Sequence, residues 1–265
     1  MPAVISADGT RIGYSVTGAG PTLVYAGGAL MYRAIDECGA GMAAALSSRF
    51  TVVTYDRRGR VDSDDTLPYA VQREIEDITA LITHVGAPAA ALGESSGAVL
   101  ALEAVLRGAP ITKLALYEPP FIVTKDTDPM PADFPDRLDA LIASDRRDEV
   151  LELFMTLAAG LPPEAVAETR TSPIWPALRA VAHTISYDSR VMGDTRGGDP
   201  ATLHRFAPVD VPVLALAGGE SPAHQRDAVV ALCSVLPHAQ LRIVAGQSHQ
   251  FDPATVAPLV TEFLE

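Results

Sequence analysis

Residues 89–106 read Ala-Ala-Ala-Leu-Gly-Glu-Ser-Ser-Gly-Ala-Val-Leu-Ala-Leu-Glu-Ala-Val-Leu. A short apolar run stops abruptly at Gly93-Glu94-Ser95-Ser96-Gly97, and an apolar helical pattern starts at once. This is Gly-x-Ser-x-Gly between a strand and a helix, the setting in which that pattern carries chemistry. The turn has to be very tight, so the residues two places either side of Ser95 approach other backbone. Gly93 and Gly97 lack the Cβ atoms that would clash there. Ser95, at the centre, is the residue expected to stand exposed as a nucleophile. Ser96 opens the helix, and its N–H is one of the unpaired donors of a helix N-terminus, aimed where an oxyanion would form.

Outward from this turn, the chain alternates short apolar strands with helical patterns. Ala3–Ser6 and Arg11–Val16 flank the hairpin signal Asp8-Gly9. Thr22–Ala26 and Phe50–Tyr55 read as strands, Ile35–Leu46 as a weak helix and Tyr69–His84 as an amphipathic one. Ile111–Tyr117 is the strand after the turn. From Pro119 to about Ala207 no strand pattern appears. Instead there are helical stretches at Pro135–Ser144, Asp148–Ala159, Pro162-Pro163 and Pro176–Arg190, separated by Pro, Gly and Asp clusters. The alternation returns with Val211–Ala217, Pro222–Leu236, Gln240–Val244 and Pro253–Leu264. Such alternation predicts an α/β fold, a mostly parallel sheet flanked by helices. The expected division is a core of residues 1–118 and 208–265 and an all-helical cap of residues 119–207.

At 265 residues the chain can bury a sizeable core. Its net charge of −13 argues against nucleic acid or an anionic membrane as partner and otherwise mostly reports solubility. The two cysteines, Cys38 and Cys233, stand in no metal-ligand spacing and read as buried thiols rather than a disulfide. The N-terminal stretch has no basic region followed by an apolar one, so a cytoplasmic location is expected. No run approaches the roughly 20 apolar residues that span a bilayer.

With the Gly93–Gly97 turn, the Tyr55-Asp56-Arg57-Arg58-Gly59 turn and the position of the helical insertion, the sequence resembles the α/β-hydrolase family along nearly its whole length. The resemblance implies an α/β-hydrolase fold with a helical cap inserted after the strand that follows the nucleophile. It implies a serine-nucleophile branch, because the dehalogenase and epoxide-hydrolase branches need a carboxylate at position 95. The arginine-rich turn itself reads as structural, a charged loop support. Chain order in the family is nucleophile, acid, histidine. His249, just past the last strand, is therefore the candidate base. His84, His204, His224 and His238 read as surface or helix-end residues.

The acid is less direct. The family's usual acid loop reads Gly218-Gly219-Glu220-Ser221 here, with Ser221 at the aligned position. Glu118, at the end of the strand after the nucleophile, resembles the acid of zearalenone-type lactonases. A charged group at the end of a buried strand also needs a partner. Glu118 is preferred, with Glu220 the alternative. For the oxyanion, Ser96 N–H is joined by Gly28, or by Gly27, in Ala26-Gly27-Gly28. Phe121, Phe154, Met155, Trp175, Tyr187 and His183 are the candidate pocket residues. Expected activity is hydrolysis of a carboxylic ester or lactone of a mid-sized, largely apolar molecule, with no cofactor and no metal. The alternatives are a carbon–carbon bond hydrolase, lyase or cyclase on the same scaffold, or a ligand binder.

Overall fold

A computed structural model describes residues 2–125 and 127–265. Eight strands form one sheet in the order β1-β2-β4-β3-β5-β6-β7-β8. They are β1 (Ala3–Ile5), β2 (Arg11–Thr17), β3 (Thr22–Ala26), β4 (Thr51–Tyr55), β5 (Ala89–Glu94), β6 (Ile111–Tyr117), β7 (Val213–Gly218) and β8 (Ala239–Val244). The pairs β1–β2 and β2–β4 are antiparallel, and the remaining pairs are parallel.

The two-residue period of the strands sorts side chains between the two faces. Val24, Val53, Ala91, Leu114 and Leu116 face α2 (Val71–Val85) and α3 (Ser96–Leu106). Leu23, Val52, Leu92, Ala115, Leu214 and Leu216 face α1 (Glu37–Leu46) and α10 (Pro253–Leu264). The helix α9 (Ala223–Val235) covers β7 on the first face. Helix α2 buries Ile75, Ile78, Leu81 and Ile82, a stripe at helical spacing. With both faces covered, the central strands read as unbroken apolar runs, which is why β3 and β6 were legible to the residue.

Between β6 and β7 the described residues form helices only: α4 (Phe134–Ala143), α5 (Arg147–Leu153), α6 (Pro163–Thr171), α7 (Trp175–Val181) and α8 (Ile185–Met192). Two expected helices are interrupted. Asp148–Ala159 passes from α5 into a π-helical turn over Phe154–Ala158. Pro176–Arg190 breaks into α7 and α8 at a 3₁₀ turn, Ala182–Thr184, where the Thr184 hydroxyl donates to Val181 O at 2.8 Å. A second 3₁₀ stretch, Pro200–Phe206, closes the insertion ahead of β7. Cys38 and Cys233 are free and partly buried. Among the described residues no helix is long and apolar enough to cross a membrane.

Candidate active site

The turn after β5 has the expected severity. Ser95 sits at φ 53°, ψ −124°, a conformation costly for any residue with a side chain. A Cβ on Gly93 would lie 2.5 Å from Ala98 Cα, and one on Gly97 would lie 2.0 Å from Ala26 O. Neither position admits a larger residue while the turn stays closed. Ser95 precedes α3 without capping it through its side chain, so its hydroxyl is not spent on the helix. Ser95 remains partly exposed.

Gly28 packs directly on this serine. A Cβ there would stand 3.1 Å from Ser95 Cβ and 3.7 Å from Ser95 Oγ. At Gly27 a Cβ would instead meet the Asp36 carboxylate at 2.8 Å. Of the two glycines, Gly28 is the one against Ser95. Ser96 begins α3 on the other side.

Tyr117 ties the remaining parts together. Its carbonyl accepts the Ser95 N–H at 2.9 Å, and its hydroxyl donates to Ser248 O at 2.6 Å. His249 follows, with its side chain 37% exposed. His249 Nδ1 is 2.7 Å from Glu118 Oε2. Glu118 stands directly after β6 at φ 43° and is 1% exposed. Its Oε1 accepts the Gly218 N–H at 2.7 Å. Burial alone would raise this carboxyl; the His249 ring, the nearby Ser221 hydroxyl and the Gly218 N–H outweigh it and hold Glu118 below the ordinary carboxylate value. Glu118 is then an anion that can only accept, so Nδ1 carries the hydrogen and Nε2 keeps the lone pair. Burial would lower the His249 pKa, but the bond to Glu118 and the charges of Glu118 and Glu94 raise it. Glu220 is exposed, and its backbone N–H bonds Gln247 O. The acid bonded to His249 is Glu118, while Ser221 is buried in the loop after β7.

The candidate pocket residues separate into groups. Phe154, Met155 and Trp175 pack with Leu30, Met31 and Tyr32, the loop that runs on from Gly28. Trp175 Nε1 also donates to Asp148 Oδ1 at 2.8 Å. Phe121 belongs to the sheet core, tilted against Phe206 at 5.7 Å. Tyr187 stacks on Tyr69 at 3.9 Å and donates to Asp65 Oδ2 at 2.8 Å. His183 Nε2 is 3.6 Å from the same carboxylate.

A family model described as alpha/beta hydrolase family matches residues 18–259. This chain belongs to the alpha/beta hydrolase family. An alpha/beta hydrolase from Sphaerobacter thermophilus DSM 20745 is 45% identical over 100% of both chains, with a TM-score of 0.91. At lower identity the fold is shared with an enol-lactonase from Burkholderia xenovorans LB400 (20% identical, 99% of both chains, TM-score 0.67). It is also shared with an esterase from Rhodococcus sp. ECU1013 (21% identical, 99% of this chain and 98% of that one, TM-score 0.61). No curated protein matches the sequence.

Two sets of residues around the candidate site were given no part in it from sequence. Glu94, between Gly93 and Ser95, is buried and accepts a hydrogen bond from the Tyr25 hydroxyl. The arginine-rich turn after β4 is buried too. Arg58 pairs with Asp77 of α2 at 2.7 Å and Asp8 at 2.9 Å, which fits the expected structural role. Its neighbours Arg57 and Arg60 instead reach the nucleophile loop and α8. The available signal was three arginines within four residues, ahead of an amphipathic helix in an acidic chain. Such charges go inside only when paired.

Proposed function

We propose that this alpha/beta hydrolase cleaves a carboxylic ester or lactone through an acyl-enzyme on Ser95. The observation that carries the reading is the 2.7 Å bond between His249 and Glu118, linked through Tyr117 to a serine held at positive φ. His249 Nε2 takes the Ser95 proton, and Glu118 holds the ring and stabilises the imidazolium. Ser95 Oγ attacks the carbonyl carbon. The N–H groups of Gly28 and Ser96 receive the oxyanion, a contribution of roughly 3 kcal/mol per donor. The imidazolium then gives its proton to the leaving alcohol. Water, deprotonated by His249, attacks the acyl carbon and releases Ser95.

Leu30 and Tyr32 beside Gly28, packed with Met155 and Trp175, supply an apolar wall and favour a mid-sized, largely apolar substrate. The lactonase and esterase that share the fold are compatible with this class.

Labelling with a fluorophosphonate, alongside turnover of p-nitrophenyl esters and lactones, tests the reading. Ser95→Ala is expected to abolish labelling and to reduce turnover by about 10⁴-fold or more. An unlabelled parent protein, or equal labelling of Ser95→Ala, removes Ser95 as nucleophile. Labelling without ester or lactone turnover transfers the site to carbon–carbon bond cleavage or ligand binding.

A further inference from the structure

Four buried charges lie between the nucleophile turn and the helical insertion: Arg57, Arg60, Glu74 and Asp188. They balance, two against two. Arg57 clasps Glu74 of α2 with two bonds, 2.7 and 2.9 Å. Asp188, on α8, is the hub. Its Oδ1 accepts from Arg57 Nη1 at 2.6 Å and from the Ser96 hydroxyl at 2.7 Å, and its Oδ2 accepts from Arg60 Nη2 at 2.9 Å. Arg60 continues the chain of bonds. Its Nη1 donates to Gly28 O at 2.7 Å and to Met31 O at 2.8 Å, and its Nε donates to Thr184 Oγ1 at 3.3 Å.

These contacts converge on the two residues assigned to the oxyanion. Gly28 has no side chain to restrict its ψ angle, and the Arg60 bond to its carbonyl supplies that restriction. Ser96 is fixed by its hydroxyl, so the position of its N–H follows Asp188. A donor displaced by a fraction of an ångström from the developing charge loses much of its effect. Two distant loops are thus registered to each other through one carboxylate, and that carboxylate is carried by the helical insertion. Burial would raise the Asp188 carboxyl, but Arg57 and Arg60 outweigh it and keep it ionised through neutral pH.

We propose that Asp188 and Arg60 are positioning residues for the reaction assigned to Ser95: they lock Gly28 and Ser96 to the helical insertion, so the oxyanion hole is complete only while α8 is docked on α3. The proposal rests on the ester-hydrolase reading. That reading is checked first, by labelling and p-nitrophenyl butyrate turnover of the parent protein, so a failure there is separate from a failure here.

The test compares Asp188→Asn, Arg60→Lys and Ser96→Ala, each confirmed as folded by circular dichroism. Asp188→Asn keeps shape and removes charge. Arg60→Lys keeps charge and cannot reach two carbonyls and a carboxylate together. Ser96→Ala deletes one hydroxyl and leaves the N–H. The expected result is a kcat lower by about 10–100-fold for the first two and by about fivefold for Ser96→Ala, with KM little changed. Fluorophosphonate labelling slows in parallel, and the pH midpoint of kcat stays at the parent value. Parent-like kcat in the folded variants, or a raised KM at constant kcat, overturns the proposal. If Asp188→Asn does not fold, Ser96→Ala and Arg60→Lys decide by the same criterion.

Discussion

Two glutamates stand at the carboxyl ends of neighbouring parallel strands, Glu94 closing β5 and Glu118 following β6. Both are almost fully buried, 7% and 1% exposed, and both lie within a residue or two of the proposed nucleophile or its hydrogen-bond partner Tyr117. Their proton affinities nevertheless move in opposite directions. Glu118 receives a histidine ring and a backbone N–H, and stays below the ordinary carboxylate value. Glu94 receives one phenol, from Tyr25, and shares its surroundings with the carboxylate of Asp36. Burial, then Asp36, push it up to about 7, against the smaller opposing effects of Tyr25 and His249. Depth alone therefore does not set the charge state; the number of donors and the sign of the nearest charge do. One carboxylate is a fixed anion, and the other takes up and releases a proton near neutral pH. Pairs of acids pushed apart in this way are where acid and base roles divide.

The largest expected effect removes the fixed anion. Glu118→Gln should lower kcat/KM for a p-nitrophenyl ester by about 10³–10⁴-fold, because a neutral amide neither stabilises the imidazolium nor enforces the Nδ1–H tautomer. Glu220→Gln should stay near the parent value. If Glu118→Gln kept more than a tenth of the activity, the contrast between the two strand ends would lose its functional meaning. A sharper version moves the anion. Ser221 is buried on the loop after β7, and its hydroxyl lies 2.8 Å from where a Cβ on Gly218 would be. Glu118 takes its backbone hydrogen bond from the same Gly218. Adding Ser221→Asp to Glu118→Gln should recover about tenfold of the lost kcat/KM, since a charge returns to the same side of His249. No recovery would mean that the position of the acid, and not only its charge, is fixed by the end of β6.

The difference between the two glutamates also marks what the sequence could disclose. Glu118 was readable because its place after β6 resembles the acid of zearalenone-type lactonases and because an acid ending an apolar strand has to have a partner, and His249 because family histidines sit on the loop after the last strand. The Gly93–Gly97 turn was readable because its constraint is local: every clash it avoids involves nearby or strand-paired backbone. Glu94 occupies a variable place in that same motif, and nothing local reveals Tyr25 or Asp36. Asp188 is harder still. Its partners Ser96, Arg60 and Arg57 are 92, 128 and 131 residues away. The same non-local pull explains the misread helix at Pro176–Arg190. Periodicity there is continuous, but Thr184 bonds back to Val181 and takes Arg60 Nε, and the helix yields to those contacts. Phe121, Tyr187 and His183 were selected by residue type and by their place in the expected cap, and each has found neighbours outside the Leu30–Trp175 cluster.

The next effect concerns the titrating member. As pH rises through about 7, Glu94 becomes negative in the company of Tyr25, Asp36, Cys38, Tyr117, Glu118 and His249. The new charge favours the imidazolium, so His249 keeps its proton to higher pH. With Glu94→Gln, an amide of the same length that can still accept from Tyr25, the acid limb of kcat/KM against pH should move to lower pH. The maximal rate should change far less than in Glu118→Gln. Superimposable pH profiles for parent and variant would break the idea that the charge at position 94 is felt at His249.

The smallest effect is on stability, and its sign separates the two residues again. Glu94 binds its proton more tightly when folded, rising from the ordinary 4.5 to about 7. Its contribution is fully present below the unfolded value and is lost as pH climbs through the folded one, a change of roughly 3 kcal/mol at most. Glu118, with its folded value lowered, contributes above the unfolded value and loses that contribution as pH falls through the folded one. His249, with its pKa raised, adds a loss on the alkaline side in the same sense as Glu94. Urea unfolding of the parent at pH 5 and pH 8 should therefore show a decline that Glu94→Gln removes in large part. The residual decline should shrink further when Glu118→Gln is added, because without that anion the histidine has lost the main reason for its raised pKa; what remains belongs to Asp77, which burial pushes up to about 6, and to Asp36, which burial also raises. An undiminished decline in Glu94→Gln would place the titrating proton on another group and leave Glu94 a permanently neutral partner of Tyr25.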